Sequence, residues 1–326
     1  MAEERFYFEN GLSLHGACAG REVANLRLIG SSFGVSVAAR EGGVTISGEP
    51  EPVHRATQFF AELQHFYAQR GRDLDQRDLE LLLKAFDRFS GQDLRELWQE
   101  RIRVSPKKRD VLPRSLKQMA YVRAMRRKEL VFGIGPAGTG KTYLAMAVAV
   151  SEFLAGNCSR IILTRPARES GENLGFLPGN LEEKIMPYLR PLYDALYDMM
   201  PVEEAAELIQ KGVIEVAPLA FMRGRTLGDA FIILDEAQNT SPDQMLMFLT
   251  RMGFHSRCVV TGDPTQNDLK SNEESGLLKA ERTLARLPEI EFCHFSTADV
   301  VRNALLEKII LAYTEKGDPL HDSATV

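Results

Sequence analysis

Two rhythms of apolar residues run along this chain. In the first 70 positions apolar and polar residues alternate in short runs or recur at helical spacing. Arg5-Phe6-Tyr7-Phe8 reads as a strand, as do Val35–Ala39 and Val44–Gly48. The Glu41-Gly42-Gly43 turn between the last two is a hairpin signal. Helical spacing across Arg21–Ile29 predicts one helix. Ala56, Phe59, Phe60, Leu63 and Phe66 give an apolar face to a second, from Val53 to Ala68. From about Pro113 the pattern changes to short, near-continuous apolar runs separated by amphipathic stretches. Strands are predicted over Leu130–Ile134, Arg160–Thr164, Val213–Val216, Ala230–Leu234, Arg257–Thr261 and Ile290–His294. Helices are predicted over Lys141–Leu154, Leu181–Tyr197, Pro242–Arg251, Gly276–Leu287 and Ala298–Tyr313. Runs that are apolar throughout suit strands covered on both faces, and their alternation with helices predicts a mostly parallel α/β sheet.

Between these regions the chain is helical and charged, with Leu79, Leu81, Leu82, Leu83 and Phe86 on one face. It then turns basic: eleven Lys or Arg lie between Arg101 and Glu129, opposed only by Asp110 and Glu129, with Pro106 and Pro113 breaking the run. The expected organisation is a small α+β domain over 1–72, a helical and basic linker over 73–112, and an α/β domain over 113–326.

Composition narrows the class. With 44% hydrophobic and 26% charged residues the chain reads as an ordinary globular protein. No apolar run reaches the roughly twenty residues that span a bilayer, and the acidic start Met-Ala-Glu-Glu lacks a signal sequence. Cys18, Cys158, Cys258 and Cys293 are scattered, as reduced thiols of a cytoplasmic protein would be. The net charge of −5 gives no global attraction to nucleic acid, so such binding has to come from a local patch. Segment 101–128 is the candidate for RNA phosphates, with a solvated linker and helix face as the alternative.

The chemistry concentrates in three places. Gly135, Pro136, Ala137, Gly138, Thr139, Gly140, Lys141 and Thr142 form a complete G-x-x-x-x-G-K-T loop between an apolar strand and a helix. Its glycines let backbone N–H groups turn toward a phosphate chain. Lys141 offers a cation for the β- and γ-phosphates, and the Thr142 hydroxyl a ligand for Mg²⁺. The helix start adds its positive dipole end, so the loop predicts nucleoside triphosphate binding. The strand Ala230–Leu234 ends in Asp235 and Glu236. Asp235 suits holding Mg²⁺, and Glu236 polarising an attacking water, which favours hydrolysis over transfer. Val259-Val-Thr261-Gly-Asp-Pro-Thr-Gln266 places Gln266 at a neighbouring strand exit, within reach of a γ-phosphate; a Thr-Gly-Asp-Pro turn also occurs without function. Gln118 offers a donor and an acceptor matching an adenine edge, or is simply an exposed amide.

Together, Gly135–Thr142, Leu234-Asp-Glu-Ala-Gln-Asn239 and Thr261–Gln266 resemble the PhoH-like family, whose ATPase core is similar to superfamily-one helicases. Leu163-Thr-Arg165-Pro-Ala, Phe221-Met-Arg223-Gly-Arg225-Thr-Leu and Asp299-Val-Val-Arg302 also match its pattern, which covers roughly 113–313. The resemblance implies a single RecA-like P-loop NTPase core behind a small KH-like α+β domain, binding and hydrolysing ATP with Mg²⁺. It makes Gln118 the adenine reader and Gln266 the γ-phosphate sensor. It makes Arg302 a sensor arginine, although Asn303 follows where the family often has His. Arg223 and Arg225 are either a finger acting in a neighbouring copy or ion-pair residues. A KH domain clamps nucleic acid with a GXXG loop. Gly16–Gly20 and Gly30–Gly34 are each one residue too long for it, which moves the RNA expectation to the basic segment.

A two-core helicase needs about 150 residues for its second core, and 60 follow Gln266. The expectation is therefore an oligomeric ATPase that acts on RNA, with neighbours completing each other's sites. The alternative is a nucleotide-dependent regulatory module that controls an RNA-processing partner such as an endoribonuclease. A P-loop kinase is disfavoured by the absence of a lid or acceptor-pocket signature.

Overall fold

The computed structural model describes residues 1–9, 11–70, 73–87, 89, 91–166, 181–269 and 274–300. They divide into two units, Met1–Arg101 with Leu112–Leu116, and Ile102–Val111 with the residues from Lys117 onward.

The first unit runs β1 (Ala2–Tyr7), α1 (Leu14–Ala17), α2 (Glu22–Phe33), β2 (Ser36–Arg40), β3 (Gly43–Gly48), α3 (Pro50–Arg70), α4 (Gln76–Phe86) and α5 (Gly91–Gln99). Its three strands pair antiparallel in the order β1-β3-β2, with Arg40 opposite Gly43 across the predicted hairpin turn. This β-α-α-β-β-α order with an antiparallel sheet is the small α+β arrangement expected. Residues along β1 alternate between half-buried and exposed, as a sheet covered on one face requires. Opposite the sheet, the buried face of α3 brings Phe59, Phe60, Leu63 and Phe66 together. Aromatic pairs at 5.3 Å (Phe33–Phe59), 5.4 Å (Phe59–Phe86) and 4.8 Å (Phe66–Trp98) fill this core.

The stretch 73–101 departs from its reading as linker. Leu79, Leu82, Leu94 and Trp98 are buried in the same core, and Arg95 grips Glu62 of α3 at 2.8 Å. Its charged composition belongs to the outer faces of α4 and α5, which a linker reading had credited to the whole. The two glycine pairs also find a packing explanation. A Cβ on Gly16 would come within 2.0 Å of the Tyr67 hydroxyl, and one on Gly30 within 2.7 Å of the Val35 carbonyl.

The second unit begins with Ile102 bridged to Val111. It continues through α6 (Leu116–Arg127), β4 (Leu130–Ile134), α7 (Lys141–Leu154), β5 (Arg160–Arg165), α8 (Leu181–Met199), α9 (Val202–Gln210), β6 (Ile214–Pro218), β7 (Ala230–Leu234), α10 (Pro242–Leu249), β8 (Arg257–Gly262), α11 (Gly276–Leu284) and β9 (Ile290–His294). The strands pair in parallel in the order β6-β5-β7-β8-β4-β9. Alternation explains why they read as continuous apolar runs. Val131, Ile161, Leu163, Phe231, Ile233 and Val259 join one core with α7 and α8, while Phe132, Ile134, Ile162, Ile232, Leu234 and Val260 join the other with α10 and α11.

Ile102, Val104 and Val111 lie in the first of those cores, so the start of the basic segment is anchored while Lys107 and Arg109 stay exposed. Helix α9 was not anticipated, although Pro201 with Glu203 and Glu204 in its first turn is a start signal. Of the predicted helix Ala298–Tyr313, everything from residue 301 lies outside the described residues. Among the described residues no helix is long and apolar enough to cross a membrane.

Candidate nucleotide-binding site

Parallel pairing carries every strand in the same direction, so the loops after β4, β5, β7 and β8 gather on one edge of the sheet. Ligands of open α/β sheets sit at that edge. The loop Gly135–Gly140 leaves β4, Asp235 and Glu236 leave β7, and Thr261–Gln266 leaves β8, which lies between them. Together they line a cavity of about 260 Å³ whose walls include Lys141, Thr142, Asp235, Glu236, Asp263 and Gln266.

The loop is shaped by glycine. Gly135, Gly138 and Gly140 take φ of 146°, 81° and 80°, where a side chain would be strained, and a Cβ on Gly135 would also meet the Phe295 carbonyl at 2.4 Å. Lys141 curls back over the loop. Its ammonium donates to Gly135 O at 2.7 Å, Pro136 O at 2.8 Å and Thr139 Oγ1 at 3.3 Å. Burial lowers its pKa, against the opposing pull of Asp263, Asp235 and Glu236. The cation is thus held where a phosphate oxygen can replace the loop's own carbonyls.

Asp235 is nearly buried, and its Oδ1 accepts two hydroxyls, from Thr142 and Thr261, each at 2.7 Å. A hydroxyl against a carboxylate beside a phosphate-sized cavity is a hard-oxygen donor set that suits Mg²⁺. Glu236 sits in the left-handed region at φ 53°. Arg165 lies 3.3 Å from its Oε1, and Gln238 donates to its Oε2. Gln266 keeps an exposed side chain at the cavity, while its backbone N–H is tied to Asp263 O at 3.0 Å.

The structure brings Lys141, Thr142, Asp235, Glu236 and Gln266 together from three loops, with Thr142 and Asp235 in contact across 93 residues of chain. Gln118 reaches the loop by another route: it is buried on α6 and donates to Thr139 O at 2.9 Å. Arg302 lies outside the described residues. The two candidate finger arginines separate. Arg225 is bound through both terminal guanidinium nitrogens to Glu215 on β6, with Nη2–Oε2 at 2.7 Å, whereas Arg223 is exposed. Residues that sequence reasoning left out of the site are Thr261, Asp263, Gln238 and Tyr143. Thr261 and Asp263 stand in a quoted motif, and Tyr143 directly follows the loop. Gln238 likewise stands inside the stretch Leu234–Asn239, two residues after Glu236.

Comparison with known proteins identifies the family. A family model described as PhoH-like protein matches residues 110–314. A PhoH-like protein of Bacillus subtilis (strain 168) is 43% identical over 297 residues, covering 91% of this chain and 93% of the relative. One from Mycobacterium bovis (strain ATCC BAA-935 / AF2122/97) is 48% identical over 295 residues, covering 90% of this chain and 83% of the relative. Among solved structures, the Sulfolobus solfataricus SWI2/SNF2 ATPase core in complex with dsDNA aligns over 55% of this chain and 44% of its own, with a TM-score of 0.33 and 15% identity. Family and motif together make this a P-loop nucleotide-binding protein. With a family model over more than half its length and relatives aligned over nearly all of it, the chain belongs to the PhoH-like protein family.

Proposed function

We propose that this protein is a Mg²⁺-dependent ATPase that acts in RNA metabolism. The observation that carries the hydrolytic half is the direct contact of the Thr142 hydroxyl with Asp235, with Glu236 one residue on, at the mouth of the P-loop cavity. In this reading the loop N–H groups and Lys141 bind the β- and γ-phosphates, and Thr142 and Asp235 would hold Mg²⁺. Bound there, the ion neutralises phosphate charge. The need is physical: among the described lining residues Asp235, Glu236 and Asp263 face a single Lys141, so a bare polyphosphate is repelled. Glu236 accepts a proton from the attacking water, and Gln266 touches the γ-phosphate. Gln118 stiffens the loop through its bond to Thr139 O.

The RNA half rests on the family resemblance and on the basic run, whose Lys107 and Arg109 are exposed on an anchored turn. Contacts of that kind go to phosphates and carry no sequence preference. With Arg225 held by Glu215, Arg223 is the arginine left to act in a neighbouring copy of a homo-oligomer. The four free thiols support a reducing, cytoplasmic setting.

The test is the ATPase rate with and without single-stranded RNA at low and high salt. RNA is expected to raise the rate, and the effect is expected to shrink with salt and on neutralising Lys107, Lys108 and Arg109 together. A rate indifferent to RNA under all conditions overturns the RNA half. It favours the reading in which nucleotide state controls a bound protein.

A further inference from the structure

The buried amide of Gln238 sits where the exits of β7 and β8 meet, and both its nitrogen and its oxygen are engaged. Its Nε2 has two hydrogens: one goes to Glu236 Oε2, the other to the Gln266 carbonyl at 3.1 Å. Its Oε1 accepts the Asp263 backbone N–H at 3.0 Å. This pattern fixes the amide's orientation, because a flip would turn its oxygen toward two acceptors and its nitrogen toward a donor. No other side chain of this length offers two donors and an acceptor. Gly262 leaves the amide its room: a Cβ there would stand 2.9 Å from Gln238 Oε1 and 2.6 Å from Leu277.

Two further observations place this amide inside a longer chain of bonds. On one side Asp263 Oδ2 accepts from Ala137 N in the P-loop at 3.0 Å, and Oδ1 accepts from Thr265 N at 3.0 Å. The turn that carries Gln266 is thereby tied to the phosphate loop. On the other side Glu236 holds a left-handed backbone unusual for a residue with a side chain, and such strain persists only where neighbours over-determine it. Arg165, itself anchored on Tyr188 O at 3.2 Å, holds one Glu236 oxygen and Gln238 the other.

We propose that Gln238 is a positioning residue that couples the phosphate-reading turn Thr261–Gln266 to the carboxylate of Glu236. With a γ-phosphate engaged by Gln266, the turn holds the amide and the amide holds Glu236 in its water-polarising pose. When the phosphate leaves, the turn shifts and carries Gln238 with it, and Glu236 loses that pose. This inference rests on the hydrolytic reading above, in which Glu236 accepts the water's proton.

Two variants test it. Gln238→Met keeps the volume and removes every hydrogen bond. Gln238→Glu keeps the acceptor for Asp263 N–H and loses the donor to Glu236, so it decides the matter if the methionine variant does not fold. Each is expected to lower kcat about 100-fold, the scale of a small misplacement of a reacting group. The Kd for an ATP analogue with Mg²⁺ should stay within about threefold, because the main phosphate contacts, the loop N–H groups and Lys141, do not run through Gln238. Adding Glu236→Gln should slow neither variant below Glu236→Gln alone, since residues acting as one unit are non-additive. Wild-type kcat in both Gln238 variants beside a slow Glu236→Gln overturns the coupling and leaves the hydrolytic reading standing, as do losses that multiply in the double variant. Wild-type turnover in Glu236→Gln itself removes the hydrolytic reading, and the coupling with it.

Discussion

The first unit directs its aromatic residues inward: Phe59, Phe60, Phe66 and Trp98 close a core against an antiparallel sheet. Gly16 and Gly30, which open the two glycine pairs one residue too long for a GXXG loop, are taken up by close packing. The P-loop unit instead covers its central strands on both faces, and at one edge of its sheet it gathers buried polar groups: Asp235, Gln238, Thr261, Asp263 and Lys141. Polar groups are buried at such cost only where hydrogen bonds satisfy them; here Asp235, Gln238, Thr261 and Asp263 have partners in another loop, and Lys141 has its partners within the P-loop. One unit is organised around stability and the other around a pre-arranged, anionic cleft. The contrast locates chemistry without reference to a motif.

The contrast can be broken from either side. Phe59→Ala should lower stability by about 3–5 kcal/mol in a denaturant titration, the usual loss for a buried Phe, and leave ATP affinity unchanged. A weakened affinity would mean that the aromatic core also serves the site. Lys141→Ala should do the reverse. ATP affinity should fall about 100-fold by calorimetric titration, as for loss of charge-assisted hydrogen bonds, with the denaturation midpoint little changed. A smaller effect comes from pH. Because burial lowers the Lys141 pKa, its charge is lost at a lower pH than an ordinary lysine's. ATP affinity is therefore complete below that depressed pKa and declines as pH rises through it. The nucleotide-free fold binds fewer protons than the unfolded chain in that window, so its stability moves the opposite way and rises with pH. An affinity flat up to the ordinary lysine range would contradict the burial of this ammonium.

What the sequence disclosed follows from how locally each feature is encoded. The P-loop is eight consecutive residues between a strand and a helix, so pattern alone was enough. The strands Leu130–Ile134 and Ala230–Leu234 were legible to the residue, because a strand buried on both faces has an unbroken apolar run bounded by polar turns; the half-buried edge strand Ile290–His294 was legible from its flanking turns. Helices α4 and α5 were seen as helices, yet their destination was not. Whether Leu79 and Trp98 cover a core or a linker depends on α3, which periodicity within 73–101 does not contain. The site's bonding was the least legible. Arg165 meets Glu236 from 71 residues away, Asp263 meets Ala137 from 126, and Gln238 meets Asp263 from 25. Only the strand order sets them side by side. The left-handed backbone of Glu236 left no trace either, since no glycine marks it.

The central claim is that the carboxylate after Asp235 is poised to activate water at a P-loop. Equilibrium binding of ATP with Mg²⁺, followed by single-turnover hydrolysis, measures it directly on Glu236→Gln beside the unaltered protein. The substituted protein is expected to bind ATP with unchanged affinity and to hydrolyse it about 100- to 1,000-fold more slowly, the range for removing a general base. Hydrolysis at the unaltered rate with binding intact would contradict the claim.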